Sequence, residues 1–296
     1  MNEIVIISGK GGTGKTSLTA SFAALAGDAV LADCDVDAAD LHLVLPPIVR
    51  ERHDFFSGRE AVIRQDACSG CGLCREYCRF DAVLAVQDRD GKIRYEIDPI
   101  ACEGCGVCVR FCPEQAIDFP ERQCGEWMVS GTRCGTMVHA RLNAAAGNSG
   151  KLVSLVRREA RRIAAEEGRA LVITDGPPGV GCPVIASVTG ASLVLAVTEP
   201  TVSGAHDVER ALSLARHFHA PAAVCVNKWD INPHKTDEIE AVARAAGARL
   251  AGRIRYDRAV TQAQLRALTP VETDAACAAD ILDVWKNLSN LHEGNI

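Results

Sequence analysis

Gly9-Lys10-Gly11-Gly12-Thr13-Gly14-Lys15-Thr16 is the stretch on which the reading of this chain turns. It follows an apolar run at residues 4–8, of the kind that forms a buried strand, and it opens a helical pattern over residues 15–26. Glycines at such a junction let backbone N–H groups point at phosphate oxygens, while the helix N-terminus and Lys15 add positive potential. The hydroxyl of Thr16 stands where a magnesium ion is held in loops of this type. The order strand, glycine loop, helix therefore predicts a triphosphate site built from Gly11, Gly12, Thr13, Gly14, Lys15 and Thr16.

The same residues satisfy G-x-G-x-x-G, and Asp33 lies near the distance at which a dinucleotide fold puts its ribose-binding acid. A dinucleotide site needs neither Lys-Thr after the last glycine nor the second motif at Asp175-Gly176-Pro177-Pro178-Gly179. That motif ends the apolar run 171–174, where a carboxylate holds magnesium through water, so Asp175 is a candidate magnesium residue.

Outward from these motifs, apolar runs at 29–32, 137–142, 193–197 and 223–226 alternate with helical patterns at 150–167, 205–217, 236–246 and 274–291. This predicts an α/β fold with a mostly parallel sheet covered by helices on both faces. After Leu45 and Pro46-Pro47 the alternation stops for about ninety residues. Within that interruption lie eight of the fourteen cysteines, in two similar blocks. The domain organisation expected is 1–60 and 121–296 for the nucleotide domain, with a small inserted α+β domain at 61–120.

Cys68-x2-Cys71-x2-Cys74-x3-Cys78 and Cys102-x2-Cys105-x2-Cys108-x3-Cys112-Pro113 form a tandem bacterial ferredoxin signature for two 4Fe-4S clusters. In that pattern three thiolates of one run grip a cluster and the fourth crosses to the other. The expected sets are Cys68, Cys71, Cys74 with Cys112, and Cys102, Cys105, Cys108 with Cys78. Two zinc sites are the alternative, although structural zinc usually draws on separated cysteine pairs. Arg79 follows Cys78 where the second run has Pro113, which puts a positive charge beside one cluster and raises its potential. Of the other cysteines, Cys34, Cys124, Cys134, Cys225 and Cys277 read as structural.

Lys10 makes the loop resemble the deviant form found in the MinD, ParA and nitrogenase iron protein group, which are P-loop nucleoside triphosphatases. The resemblance implies Mg-ATP as cofactor, ATP hydrolysis, and a homodimer formed on ATP binding, with Lys10 reaching the partner's nucleotide. Asp33-x-Asp35 looks like the group's switch I, so the resemblance makes Asp35 the residue that orients or deprotonates the attacking water. Asn227-Lys228-Trp229-Asp230 follows the run 223–226, a position at which Asn227 and Asp230 would contact the base. N-K-x-D reads guanine in GTPases, whereas Asn at this strand end serves adenine in the MinD-like group, and ATP is the favoured nucleotide. Cys182 lies seven residues after Asp175, the offset of a cluster cysteine in the nitrogenase iron protein, but the second such cysteine has no counterpart at Asn148-Ser149-Gly150-Lys151.

Three functions follow from the resemblance. The first is nucleotide-gated electron transfer through two 4Fe-4S clusters to a redox or metallocluster partner protein. The second is an iron-sulfur or metal-centre assembly ATPase of the Mrp type. The third is a positioning ATPase of the MinD or ParA kind.

Composition narrows the classes. A chain of 296 residues buries roughly three quarters of its unfolded surface. A net charge of -6 argues against a nucleic-acid partner. The basic cluster Arg157, Arg158, Arg161 and Arg162 has helical spacing and reads as a solvated face. Without an eighteen-residue apolar run or a charged-then-apolar leader, the expectation is a soluble, cytoplasmic protein. The last helix presents Ile281, Leu282, Trp285, Leu288 and Leu291 with a single Lys286, which suits a core element rather than direct membrane insertion.

Overall fold

The computed structural model describes residues 2–87, 91–143 and 146–293. Strand β1 (Asn2–Ser8), helix α1 (Lys15–Ala26), strand β2 (Ala29–Asp33) and the single turn α2 (Leu41–Val44) come first. α1 stops at Gly27, whose left-handed φ of 65° turns its N–H back to the Ala23 carbonyl. Next, β3 (Ile48–Arg59) follows Pro46-Pro47 directly, so the alternation continues past the point where the sequence suggests it stops. Residues 48–54 of β3 are all exposed. A charged strand at a sheet edge carries no alternating apolar signal, which is why the sequence conceals it.

The elements β4 (Val62–Ile63), α3 (Leu73–Glu76), β5 (Val83–Gln87), β6 (Ile93–Ile97), α4 (Val107–Arg110) and β7 (Ile117–Asp118) are all short. After them come β8 (Glu121–Thr132), β9 (Gly135–Leu142), α5 (Ser149–Glu166), β10 (Leu171–Pro178), α6 (Cys182–Val188) and β11 (Leu193–Thr198). The chain continues through α7 (Val202–His217), β12 (Ala222–Asn227), α8 (Pro233–Ala245), β13 (Arg249–Ile254), α9 (Ala259–Leu265) and α10 (Cys277–Glu293). α7 and α8 start at N-caps, Thr201 accepting from the Gly204 N–H and Asn232 from the Lys235 N–H.

The described chain falls into two compact units. The first comprises Met1–His53, Glu126–Arg141 and Ser149–Ile296; the second comprises Asp54–Gly125 and Leu142–Asn148. Three of the four divisions fall inside strands, β3, β8 and β9, and the fourth at the start of α5.

A nine-stranded sheet runs β13-β12-β11-β1-β10-β2-β9-β8-β3. The pairings from β13 to β9 are parallel. Residues alternate between its two faces. Ile4 and Ile6 of β1 join Leu195, Cys225, Phe22, Ile281 and Leu288 on one side, whereas Val5 and Ile7 join Val194, Val224, Val208, Leu212 and Ile239 on the other. Thus α1 and α10 cover one face, and α7 and α8 the other. Strands buried on both faces read as continuous apolar runs, which is the pattern of β1, β11 and β12. Among the described residues no helix is long and apolar enough to cross a membrane.

One expectation is overturned in α5. Arg158 and Arg162 face solvent, but Arg157 is buried and makes a two-bond contact with Glu3 at 2.7 Å each. Arg161 and Thr174 bond the same carboxylate, at 2.8 Å each. Burial alone would raise the Glu3 pKa, but Arg157 and Arg161 outweigh it and hold the carboxyl below its usual range. The helical period placed four arginines on one stripe, and nothing in it showed that a buried acid on β1 lay under two of them.

The second unit holds two antiparallel strand pairs, β4 with β7 and β5 with β6. Its interior is Ala61, Ile63, Cys74, Val83 and Ile117, packed by Cys68, Cys78, Cys102, Cys108 and Cys112. α3 and α4 each begin after a glycine in the left-handed region, Gly72 at φ 79° and Gly106 at φ 72°.

Candidate functional site

In the first unit the loop from Gly9 wraps the start of α1. Gly14 has φ 88°, and a Cβ there would lie 2.4 Å from Asn227 Nδ2, so only glycine fits. Asn227 Nδ2 donates to the Thr13 carbonyl at 2.8 Å, which fastens the end of β12 to the loop. Lys228, at φ 56°, donates its N–H to Asn227 Oδ1 at 3.0 Å and its ammonium to the Gly12 carbonyl at 3.4 Å.

The register of the parallel strands places Asp33 of β2 beside Asp175 of β10, at the carboxyl end of the sheet. Asp175 is fully buried and accepts from Lys15 Nζ at 2.9 Å, Thr16 Oγ1 at 2.8 Å and Thr19 Oγ1 at 2.9 Å. Lys15 Nζ also lies 3.4 Å from Asp35 Oδ2. Burial opposes the charge on Lys15, but Asp175 and Asp35 overcome it and raise its pKa. Burial and the adjacent Asp175 push the Asp33 carboxyl well above the usual range, and burial raises Asp35 against the pull of Lys15. Asp33 Oδ2 and Thr13 Oγ1 are buried without a hydrogen-bond partner. An oxyanion with a hydrated cation beside it would satisfy such orphaned groups.

An open cleft is lined by Gly11, Gly12, Thr13, Gly14, Lys15, Thr16, Asp35 and Asn227. Lys10 and Asp230 are not part of its wall. Asp230 Oδ1 instead accepts the Tyr256 N–H at 2.7 Å, so it braces the segment after β13. That segment, Arg255-Tyr256-Asp257, lines the cleft beside Asn227, and so does Gln264 of α9, which donates to Ser17 Oγ at 2.7 Å. Sequence reading missed these residues because β13 carries Gly252 at φ 140° and two arginines, which hide its strand pattern.

In the second unit the cysteines line two further cavities. One has Cys68, Cys71, Cys74 and Cys112 on its wall. The other has Cys78, Cys102, Cys105 and Cys108. Each takes three cysteines from one run and one from the other. The rings of Tyr77 and Phe111, which precede the two crossing cysteines, stack at 4.7 Å between centroids. The Ala116 N–H donates to Cys112 Sγ at 3.3 Å. Burial raises the Cys74 thiol and pushes Cys108 up to about 11, with its neighbours Cys102 and Cys105 adding to the effect. Among the described residues no three His, Cys, Asp or Glu side chains come together as a metal-ion site. The thiols are spread around cavity walls instead.

Cys34, Cys124, Cys134, Cys225 and Cys277 are buried. Cys124 Sγ lies 3.0 Å from the Ser57 carbonyl. Cys182 is exposed at the first residue of α6.

The sequence model of the CobQ/CobB/MinD/ParA nucleotide binding domain matches residues 4–271. The chain belongs to that family. As a CobQ/CobB/MinD/ParA member it is a P-loop ATPase of the MinD/ParA type. It is 35% identical over 233 residues to the uncharacterized protein MJ0578 of Methanocaldococcus jannaschii, covering 78% of this chain and 79% of that one. Its fold is that of the cell division ATPase MinD of Pyrococcus furiosus, with a TM-score of 0.57 at 16% identity, covering 98% of this chain and 99% of MinD. MinD of Pyrococcus horikoshii in complex with Mg-ADP gives 0.57 at 15% identity over 98% and 96% of the two chains. At such identities the likeness to MinD is one of fold.

Proposed function

We propose that this ATPase is a Mg-ATP-driven dimeric switch that gates electron transfer through two 4Fe-4S clusters to a partner protein. The observation that carries the reading is that each cavity of the small unit is lined by four cysteines, in a chain whose other unit is a P-loop ATPase. The cavities suit cubane clusters, with Cys68, Cys71, Cys74 and Cys112 holding one and Cys78, Cys102, Cys105 and Cys108 the other. Bound there, such clusters supply one-electron storage at potentials set by hydrogen bonds, charge and exposure. Structural zinc usually draws on separated cysteine pairs, whereas each cavity here takes three cysteines of one tandem run and the fourth of the other.

In the ATPase unit the loop N–H groups of 11–16 donate to the triphosphate, and Lys15 moves from Asp175 and Asp35 onto its oxygens. Thr16 and Asp175 are the residues that would hold Mg2+, which supplies charge neutralisation. Release of Lys15 frees Asp35, at the wall of the cleft, to accept a hydrogen bond from water and orient its attack on the γ-phosphorus. The base lies between Asn227 and the Arg255-Tyr256-Asp257 segment, which favours adenine because Asp230 is engaged with the Tyr256 N–H. By resemblance, Lys10 serves the nucleotide of a second copy, so that ATP binding closes a homodimer and hydrolysis reopens it.

A second reading is a positioning ATPase, favoured by the likeness in fold to cell division MinD. It leaves the eight cysteines of the small unit without a task. Anaerobically purified protein separates the readings: about eight irons per chain and a midpoint potential that differs between Mg-ADP and a slowly hydrolysed Mg-ATP analogue are expected. Iron near zero, or a potential indifferent to nucleotide, overturns the electron-transfer reading and leaves the ATPase.

A further inference from the structure

Glu199 immediately follows β11 and touches two lysines at once. One carboxylate oxygen takes the ammonium of Lys228, which also donates to the Gly12 carbonyl at 3.4 Å. The other lies 3.9 Å from Lys10 Nζ, which sits 3.3 Å from Ser203 Oγ. Ser203 is in the first turn of α7, where Thr201 caps the helix by accepting the Gly204 N–H at 3.0 Å. The loop base is pressed onto the same helix, since a Cβ on Gly9 would fall 2.0 Å from Asp207 Cβ. Glu199 and Ser203 are therefore fixed by rigid elements, and the Lys10 side chain is the movable part. Glu199 is largely shielded, with 16% of its side chain exposed against 38% for Lys10.

We propose that Glu199 is a positioning residue for the ATPase: it draws the Lys10 ammonium off the wall of its own nucleotide cleft and presents it to a second copy. This rests on the dimer reading above. Lys10 is only one residue from Gly11, which lines the cleft. Without a counter-charge on the α7 side, its ammonium is attracted to the triphosphate of its own chain. Lys228 is already engaged, its ammonium between Glu199 and the Gly12 carbonyl at 3.4 Å. A half-exposed ion pair is worth up to about 1 kcal/mol, which converts to roughly a two- to five-fold change in affinity.

The test compares wild type, Glu199→Gln, Glu199→Asp and the double variant Lys10→Ala/Glu199→Gln. Affinity for a slowly hydrolysed Mg-ATP analogue is measured at protein concentrations that keep the chain monomeric, and kcat is followed against protein concentration. Glu199→Gln is expected to bind the analogue roughly two- to five-fold tighter as a monomer, and to need more protein to reach its full rate. Glu199→Asp should behave like wild type, and the tightening should vanish when Lys10 is absent. Wild-type affinity in Glu199→Gln overturns the proposal. Tightening that persists without Lys10 also overturns it and assigns the effect to Lys228. A wild-type rate independent of protein concentration fails at the earlier step, removing the dimer reading and the proposal with it.

Discussion

Replacing Asp175 by Asn removes one charge from a site where three donors meet. Lys15 would keep Asp35 at 3.4 Å as its ionised neighbour, in place of the 2.9 Å contact with Asp175. At an effective dielectric of about 20 the lost attraction is roughly 5–6 kcal/mol, and breaking a buried pair typically costs about 3–5 kcal/mol net. Two features reduce this. Asn keeps an acceptor for Lys15, and removing the Asp175 charge lowers the Asp33 pKa, although burial, the larger cause of its elevation, remains. The net expectation is a loss of about 2–3 kcal/mol, or roughly 5–10 °C in Tm. The assay is thermal unfolding with and without Mg-ADP. Wild type should gain stability with nucleotide, and the variant should lose both the intrinsic stability and most of that gain. A variant as stable as wild type, with the nucleotide gain intact, would show that Asp175 neither anchors Lys15 nor supports magnesium.

Three more outcomes can be checked. Cys112→Ser should deplete the cavity holding Cys68, Cys71 and Cys74, and Cys78→Ser the other, so each should lower iron from about eight to about four per chain in anaerobic preparations; loss of all iron from either would deny the cavities their independence. Gly14→Ala, at φ 88° and with Asn227 Nδ2 in the way, should abolish nucleotide binding, read by calorimetry, while leaving far-ultraviolet circular dichroism largely unchanged. His139 is buried, bonds Ser130 at 2.8 Å, and has its pKa lowered to about 4 by burial. The unfolded chain binds a proton near pH 6.5 and the folded one only near pH 4, so stability should fall as pH drops below about 6.5 and level off below about 4. The loss approaches about 3 kcal/mol, and His139→Gln should flatten the slope of Tm against pH over that window.

The parts that were legible in the sequence share one property: their signal is local. The loop Gly9 to Thr16 and the central strands β1, β11 and β12 announce themselves through glycines and unbroken apolar runs, because both faces of those strands are buried. The cysteine runs declare a tandem pattern by spacing, and the structure lines one cavity with Cys112 and the first three of the other run. What was hidden depends on partners far along the chain. β3 shows a charged surface with no alternation, β13 is broken by Gly252, and α9 spans only seven residues. Arg157 looked solvated because Glu3 lies 154 positions away. Asp230 read as a base contact because its bond to the Tyr256 N–H arises only when the turn after β13 folds under it.

The small unit surrounds a short apolar interior with cysteines: Cys74 lies within it, and Cys68, Cys78, Cys102, Cys108 and Cys112 pack against it. Its strands supply Ile63, Val83 and Ile117, and the thiols packed against them are open to oxidation and to metal binding. Assembly of that unit is therefore a matter of supply as well as of sequence. On the electron-transfer reading, a cell short of iron would make chains whose small unit lacks the clusters that complete its interior, so that the protein itself would gauge the conditions under which it was made.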